Sequence, residues 1–235
     1  MTAPSDVWVR PWNIRLELQK MCFTGDESKM IYEFRTYRLK PGSLPEVLKR
    51  FEEGYEHRKK YSELAAFWYT DIGPLNQIIH VWPYADAGER VRVRAETQKD
   101  PNWPPNIHEF LEQMESEIYV PFSFSPELKP GKMGPIFEMR SYMVKPGTGI
   151  PGTIERWEPQ LPKRTALSPL AFVGHTDTGP LNKYIHIWPY ESLNQRAEIR
   201  KTAVETGAWP PPGGGATLVT QENKIMLAAP FSPIQ

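Results

Sequence analysis

A fourteen-residue block occurs twice in this chain, and it constrains the fold more than any other feature. The first copy runs Asp71-Ile-Gly-Pro-Leu-Asn-Gln-Ile-Ile-His-Val-Trp-Pro-Tyr84, and the second runs Asp177-Thr-Gly-Pro-Leu-Asn-Lys-Tyr-Ile-His-Ile-Trp-Pro-Tyr190. Ten positions are identical, at an offset of 106. A match this long makes the chain an internal duplication. Each copy opens on a turn signal, Asp-x-Gly-Pro-Leu-Asn. Each then alternates as a strand and is expected to stop at Trp-Pro-Tyr.

The duplication extends outward. Ile31-Tyr-Glu-Phe-Arg-Thr-Tyr-Arg-Leu-Lys-Pro-Gly42 matches Ile136-Phe-Glu-Met-Arg-Ser-Tyr-Met-Val-Lys-Pro-Gly147. Arg90 and Arg94 match Arg196 and Arg200, and Trp103-Pro-Pro105 matches Trp209-Pro-Pro211. The chain therefore divides into an arm (1–29), a first repeat (30–128), a Pro/Gly-rich linker (129–135) and a second repeat (136–235). The arm has no counterpart in the second copy. Arg10 and Arg15 break any secretory apolar core there. An appended arm, or an upstream start codon before Met30, is the expected reading; a transit peptide is the alternative, and acidic Asp6, Glu17, Asp26 and Glu27 weigh against it.

Within each repeat the hydrophobic period switches between two and 3.6. Ile31–Leu39 alternates, with Glu33, Arg35 and Tyr37 on one face and Tyr32 and Phe34 on the other. Leu44, Val47, Leu48, Phe51 and Tyr55 follow at helical spacing. In the second copy Pro159 and Pro162 are expected to shorten or kink that helix. Strands at Leu64–Asp71 and Gln77–Trp82, a helix at Ala85–Thr97 and a closing strand complete the unit, with an extra short helix expected near Ile107–Glu115. Each repeat thus reads β-α-β-β-α-β, the split ferredoxin-like pattern, in an α+β protein. Such a unit leaves one sheet face bare. Pairing the two copies into one intramolecular α+β barrel covers both. On this reading the aliphatic strand faces meet the helices, and the Glu/Arg/Tyr and His/Trp faces look into the barrel.

Composition narrows the function. Lys+Arg and Asp+Glu both number 28, so the chain lacks the basic footprint of a nucleic-acid binder. No apolar run reaches the roughly 20 residues of a membrane helix. The single cysteine, Cys22, fits a reducing, cytoplasmic setting and excludes an internal disulfide. No tightly bound organic cofactor is implied: Gly213-Gly-Gly215 lacks the phosphate-cradling pattern, and no Cys-x-x-Cys-His is present.

The blocks Ile-Tyr-Glu-x-Arg-x-Tyr-x-Leu-Lys-Pro-Gly and Gly-Pro-Leu-Asn…His-x-Trp-Pro-Tyr resemble the NIPSNAP family, whose fold is the dimeric α+β barrel. The resemblance covers both repeats. It implies the barrel. The wider superfamily includes isomerases, oxygenases, haem-handling proteins and plain binders, so activity must be argued from residues. Two diverged copies stand here in one chain, and a fused barrel can still form a homo-oligomer.

The candidate site residues are those the repeats retain on polar strand faces. His80 and His186 suit proton transfer near neutral pH, or a structural hydrogen bond to a neighbouring strand, Asp71 or Asp177. Tyr37 and Tyr142 can polarise a carbonyl, or serve as core phenols with satisfied hydroxyls. Arg35 and Arg140 can clamp a carboxylate, or neutralise Glu33 and Glu138 two residues away on the same strand. Trp82 and Trp188 can wall an apolar ligand, or simply pack. Tyr69 aligns with His175 and breaks the symmetry of the copies; Tyr184 stands where the first copy has Ile78. His175, Asp177 and His186 have generic metal-binding spacing. Arg90, Arg94, Arg196 and Arg200 read as a solvated helix face.

Three function readings follow. One is a small-molecule protein taking an apolar or aromatic acid or ketone, as a binder or as a cofactor-independent enzyme using His, Tyr and Arg. A second is a non-catalytic interaction or scaffold protein. A third reading is a haem- or metal-handling barrel. A cavity of about 300 Å3 or more lined by His, Arg and Tyr favours the first class. A barrel plugged by Trp and Tyr favours the second.

Overall fold

The computed structural model describes residues 30–147 and 149–235; the arm at 1–29 and Thr148 lie outside the described residues. In the first repeat, β1 (Ile31–Leu39) leads to α1 (Leu44–Arg58), β2 (Ala66–Ile72), β3 (Gln77–Tyr84), α2 (Ala87–Thr97) and β4 (Leu111–Pro121). The second has β5 (Ile136–Val144), α3 (Gly149–Trp157), α4 (Leu161–Thr165), β6 (Phe172–Thr178), β7 (Lys183–Tyr190), α5 (Leu193–Glu205) and β8 (Leu218–Ala228). The helix that is continuous in the first copy is broken between α3 and α4. Pro159 falls in the break, and Pro162 lies at the start of α4, where a missing N–H is tolerated.

The eight strands close in the order β1-β3-β2-β8-β5-β7-β6-β4. Each repeat contributes a ferredoxin-like sheet, β4-β1-β3-β2 or β8-β5-β7-β6. Two antiparallel seams join them, β2 with β8 and β4 with β6. The tight hairpins close through Asn76 and Asn182, with φ of 57° and 58°. Asn tolerates this left-handed conformation better than most residues, which is why it ends each Gly-Pro-Leu-Asn turn.

The faces are the reverse of the sequence-based expectation. The barrel interior holds Tyr32, Phe34, Trp68, Ile79, Val81, Tyr119, Phe137, Met139, Phe172, Ile185, Ile187 and Met226, drawn from all eight strands. An eight-stranded barrel is just wide enough for side chains to fill. Rings fill this one: Trp68 lies 5.4 Å from Phe137, and Tyr32 lies 5.2 Å from Phe172. Gly174, the counterpart of Trp68, has no room for a side chain, because a Cβ there would sit 2.8 Å from the Val120 carbonyl oxygen. The charged faces of β1 and β5 turn outward, under the helices. The reason is electrostatic: an ionised carboxylate needs cations, and on this side α2 and α5 add theirs to the strand arginines Arg35 and Arg140.

Two further expectations change, and one feature is new. Ile107–Glu115 forms only a single 3-10 turn at His108–Phe110, because from Leu111 onward the chain pairs with β1. Strands β3 and β7 continue through Trp-Pro-Tyr instead of stopping. The ladder to β2 ends at Val81 while that to β1 runs to Tyr84, so Pro83 lies where no partner on the β2 side asks for its N–H. The ends of the repeats are exchanged: Phe122 and Phe124 pack in the second half's helix layer, and Ala229 and Phe231 in the first half's.

Candidate functional site: two arginine-rich pockets between sheet and helices

Glu33 is fully buried, with 0% exposure, on β1. Its Oε1 accepts from Arg35 at 2.9 Å, Arg90 at 2.8 Å, Arg94 at 3.4 Å and the Ser116 hydroxyl at 2.7 Å. Glu138 repeats the arrangement. Its Oε1 accepts from Arg140 at 2.8 Å, Arg196 at 2.6 Å and the Asn223 amide at 3.2 Å, with Arg200 at 3.7 Å from Oε2. Burial raises a carboxyl's pKa, but here the hydrogen bonds from Arg90 and Ser116 and the charges of Arg35 and Arg94 overcome it, so Glu33 titrates at about 2. Glu138 also falls to about 2: Arg196 and the charges of Arg140 and Arg200 outweigh its burial. The arginines of α2 and α5 are therefore not a solvated face. They neutralise the two buried carboxylates from above.

Beside each carboxylate lies a chain of aromatic and cationic groups. The Trp82 indole N–H donates to His80 Nδ1 at 2.7 Å, and that of Trp188 to His186 Nδ1 at 2.6 Å. Nδ1 is thus an acceptor, and the ring proton sits on Nε2. Both Nε2 atoms are buried without a partner among the described residues. Burial first, and the neighbouring Arg35 or Arg140 second, hold both imidazoles neutral, well below the usual histidine range. Their partner is the adjacent indole on the same strand; neither Asp71 nor Asp177 is hydrogen-bonded to them. The Tyr37 and Tyr142 hydroxyls accept from Arg35 Nε, at 2.7 Å, and from Arg140 Nε. The Tyr37 phenol keeps its own proton free to donate. Burial, opposed by Arg35, raises the Tyr37 pKa and keeps it protonated.

The sequence reading missed the most unusual members. Arg58 and Arg164 are each 3% exposed. Arg58 lies over the Trp82 ring at 4.2 Å and donates to Ser62 and to the Tyr84 hydroxyl. Arg164 lies over Trp188 at 4.0 Å and donates to Ser168 and the Tyr190 hydroxyl. Among the described residues neither has a carboxylate within ion-pair distance, and burial lowers both pKa values. Guanidinium remains cationic at any physiological pH. The signal was present: Arg58 and Arg164 stand at the same 106-residue offset as the hairpin block.

These groups line pockets outside the barrel. The first half has one of about 150 Å3, bounded by Arg35, Tyr37, Arg58, His80, Trp82, Tyr84, Arg94 and Trp103. The second half has one of about 260 Å3, bounded by Arg140, Tyr142, Arg164, His186, Trp188, Tyr190, Arg200 and Trp209. It adjoins another of about 260 Å3 that reaches Tyr184, Trp157 and Arg156. The remaining candidates fall elsewhere. Glu33 and Glu138 sit behind the pockets and hold the arginines. Tyr69 lines a separate cleft beside Lys132–Pro135. His175 is half-buried against Phe122 and lines neither arginine pocket. No group of three or more His, Cys, Asp or Glu side chains gathers among the described residues, so His175, Asp177 and His186 do not form a metal set. No helix among those residues is long and apolar enough to cross a membrane.

The repeated network coincides with a known profile. The NIPSNAP family pattern matches residues 32–126 and again 137–233. The chain belongs to the NIPSNAP family. It is 30% identical to human Protein NipSnap homolog 3A over 219 residues, spanning 88% of this chain and 86% of that protein. It is 28% identical to Drosophila melanogaster Protein NipSnap, spanning 100% and 92%. The NIPSNAP fold extends further in structure than in sequence. A solved anthrone oxidase-like protein superposes with a TM-score of 0.56 at 12% identity, over 88% of this chain and 94% of that one. That likeness concerns the fold alone.

Proposed function

We propose that this NIPSNAP protein binds small organic anions, acids with an apolar or aromatic body, in the sheet–helix pocket of each half. The observation that carries the reading is the pair Arg58 and Arg164. Each is a buried cation whose direct partners are all neutral, in a pocket that a second and third arginine also line. A buried charge without a counter-ion is costly, and an entering carboxylate removes that cost. The guanidinium fork suits a carboxylate, and the tryptophan walls suit a ring.

The same geometry limits the chemistry. His80 and His186 are neutral Nε2–H donors, and burial keeps the Tyr37 phenol protonated. Glu33 and Glu138 are ionised but saturated by arginine. The pockets thus supply donors for an oxyanion and no free base near neutral pH. Turnover, where it occurs, rests on stabilising an enolate or alkoxide, not on proton abstraction by imidazole.

Calorimetric titration with benzoate, against benzyl alcohol as the neutral control, tests the reading. Benzoate is expected to bind and the alcohol not, and R58Q and R164Q each remove one equivalent of sites. Equal weak binding of both probes overturns it. The barrel is filled, and each arginine pocket, at about 150 and 260 Å3, is smaller than the roughly 300 Å3 expected for the first class; both features favour the non-catalytic interaction protein, which would then stand instead. Cytoplasmic residence rests only on the sparing use of cysteine, and fractionation of the tagged chain checks it.

A further inference from the structure

The two pockets are not equivalent, and this difference points to a narrower ligand class for the second half. It rests on the anion-binding reading above and deepens it.

Arg50 and Arg156 occupy the same position on the first helix of each repeat. Arg50 is committed to the outer surface, bonded to Glu46 at 2.7 Å and Glu109 at 2.9 Å. The second repeat offers neither carboxylate: Gly152 stands at the position of Glu46, and the glycine-rich turn at 213–215 replaces the segment that carries Glu109. Arg156 is half-buried, its only hydrogen bond among the described residues goes to the Thr217 hydroxyl at 3.2 Å, and it has no ion pair there. It lines the outer of the two adjoining pockets. Arg164 lines the inner one. Tyr142, Trp209, Pro210 and Gln221 are shared walls of both.

Three substitutions between the repeats fit the same change. Val47 becomes Thr153 and Ile78 becomes Tyr184, both lining the outer pocket, and Met114 becomes Gln221 on the shared wall. The second half has therefore gained polar groups along two adjoining pockets, one lined by Arg164 and the other by Arg156, neither of which has an ion pair among the described residues. The first half keeps a smaller pocket lined by Arg35, Arg58 and Arg94, and in the pocket that adjoins it through Pro104 and Pro105 the cation, Arg50, is already neutralised by Glu46 and Glu109.

We infer that the second half binds a molecule with two anionic groups separated by an aromatic or apolar spacer, one held at Arg164 and the other at Arg156. The first half takes a monoanion. Two cations that share no carboxylate, joined by an indole and a phenol wall, match two carboxylates, or a carboxylate and a phosphate, on one flat body.

The test compares benzoate with phthalate, isophthalate and terephthalate on the intact chain. The three isomers step the distance between carboxylates. At least one dicarboxylate is expected to bind a single site roughly tenfold or more tighter than benzoate, as a second charge-assisted contact allows. R156Q is expected to bring that isomer down to the affinity of benzoate. R50Q, on the outer face of the first half, is expected to leave the preference in place. Melting curves of both variants confirm that each is folded. If benzoate binds but no isomer is preferred, or if R156Q leaves the preference intact, the two-cation cleft is wrong while the anion reading stands. If no acid binds at all, both fall together.

Discussion

The first and second halves keep one layer of the molecule and change the next. Both retain a fully buried glutamate, three arginines on its oxygens, an indole-to-imidazole hydrogen bond and a buried guanidinium over an indole. Even where the helper differs, the contact is kept: Ser116 in one half and Asn223 in the other donate to the same carboxylate oxygen. Just above, Phe51 has become Trp157, Met114 has become Gln221, and Arg156 lacks the carboxylates that hold its counterpart Arg50. A buried charge tolerates no partial solution, so its partners resist change together. The walls that changed, Phe51 and Met114, make no hydrogen bond to those charges, whereas the walls that do, such as Tyr37 and Tyr84, are kept as Tyr142 and Tyr190.

The sharpest way to break this comparison is to remove one carboxylate. E33Q and E138Q each leave three arginines without their anion, and each is expected to lower unfolding stability by about 3–5 kcal/mol. Denaturant unfolding measures it. The two values should agree within about 1 kcal/mol, since each glutamate is held by three arginines and one neutral donor at corresponding positions. A loss confined to one half would show that the likeness is geometric and not energetic.

Acid unfolding sharpens the same point. Both glutamates have folded pKa values near 2, below their unfolded values. A depressed carboxyl contributes stability that is fully present above the unfolded pKa. That stability is lost as pH falls from about 4.5 through 2, at roughly 3 kcal/mol for each glutamate. The buried histidines are depressed as well, so their contribution begins to fade earlier, below about pH 6.5. From the carboxylates and imidazoles alone, stability should hold near neutrality and fall in two stages on acidification. In E33Q the lower stage should lose about half its slope. A wild-type profile flat down to pH 4 would mean that the imidazoles are not held neutral by burial.

The fold was legible because its signals are local and doubled. Alternation, the Gly-Pro-Leu-Asn turn and the helix spacing each occurred twice, and a ferredoxin-like unit leaves few ways to cover its bare face. The side of the sheet on which the site lies was not legible. Both faces of β1 carry aromatics, so Tyr32 and Phe34 look no more interior than Tyr37. The deciding fact is non-local: Glu33 needs cations, and Arg90 and Arg94 lie 57 and 61 residues away on a helix. Read alone, that helix is polar enough to pass for a solvated face. Arg58 was hidden for the opposite reason. At the end of α1 a basic residue is what the helix dipole favours, and nothing local announces that it is buried over Trp82.

W82F and W188F probe the smaller shared feature, the indole donor. Either change leaves a buried imidazole nitrogen without its hydrogen bond, at an expected cost of about 1–3 kcal/mol. Nitrogen-15 NMR of the ring should report Nε2–H in the native chain and a mixed tautomer in the variants. A ring that stays Nε2–H in W82F would mean that something other than the indole sets it.

The smallest expected effects, and the only ones of opposite sign, lie where the halves meet. At the β4–β6 seam, Lys183 bonds both oxygens of Glu117 at 2.8 Å. At the β2–β8 seam the equivalent positions hold Gln77 and Lys224, joined by one hydrogen bond at 2.8 Å. Burial, reinforced by Lys183, lowers the Lys224 pKa, so its charge opposes folding at neutral pH. K183M should then destabilise by about 1 kcal/mol, while K224M should be neutral or mildly stabilising. The asymmetry also bears on pairing. Two second repeats brought together would set Lys183 against Lys224 at both seams, whereas the mixed barrel offsets one lysine with Glu117 and the other with an amide. Equal losses in K183M and K224M would mean that the seams are held by backbone ladders alone and that these charges do not select the partner.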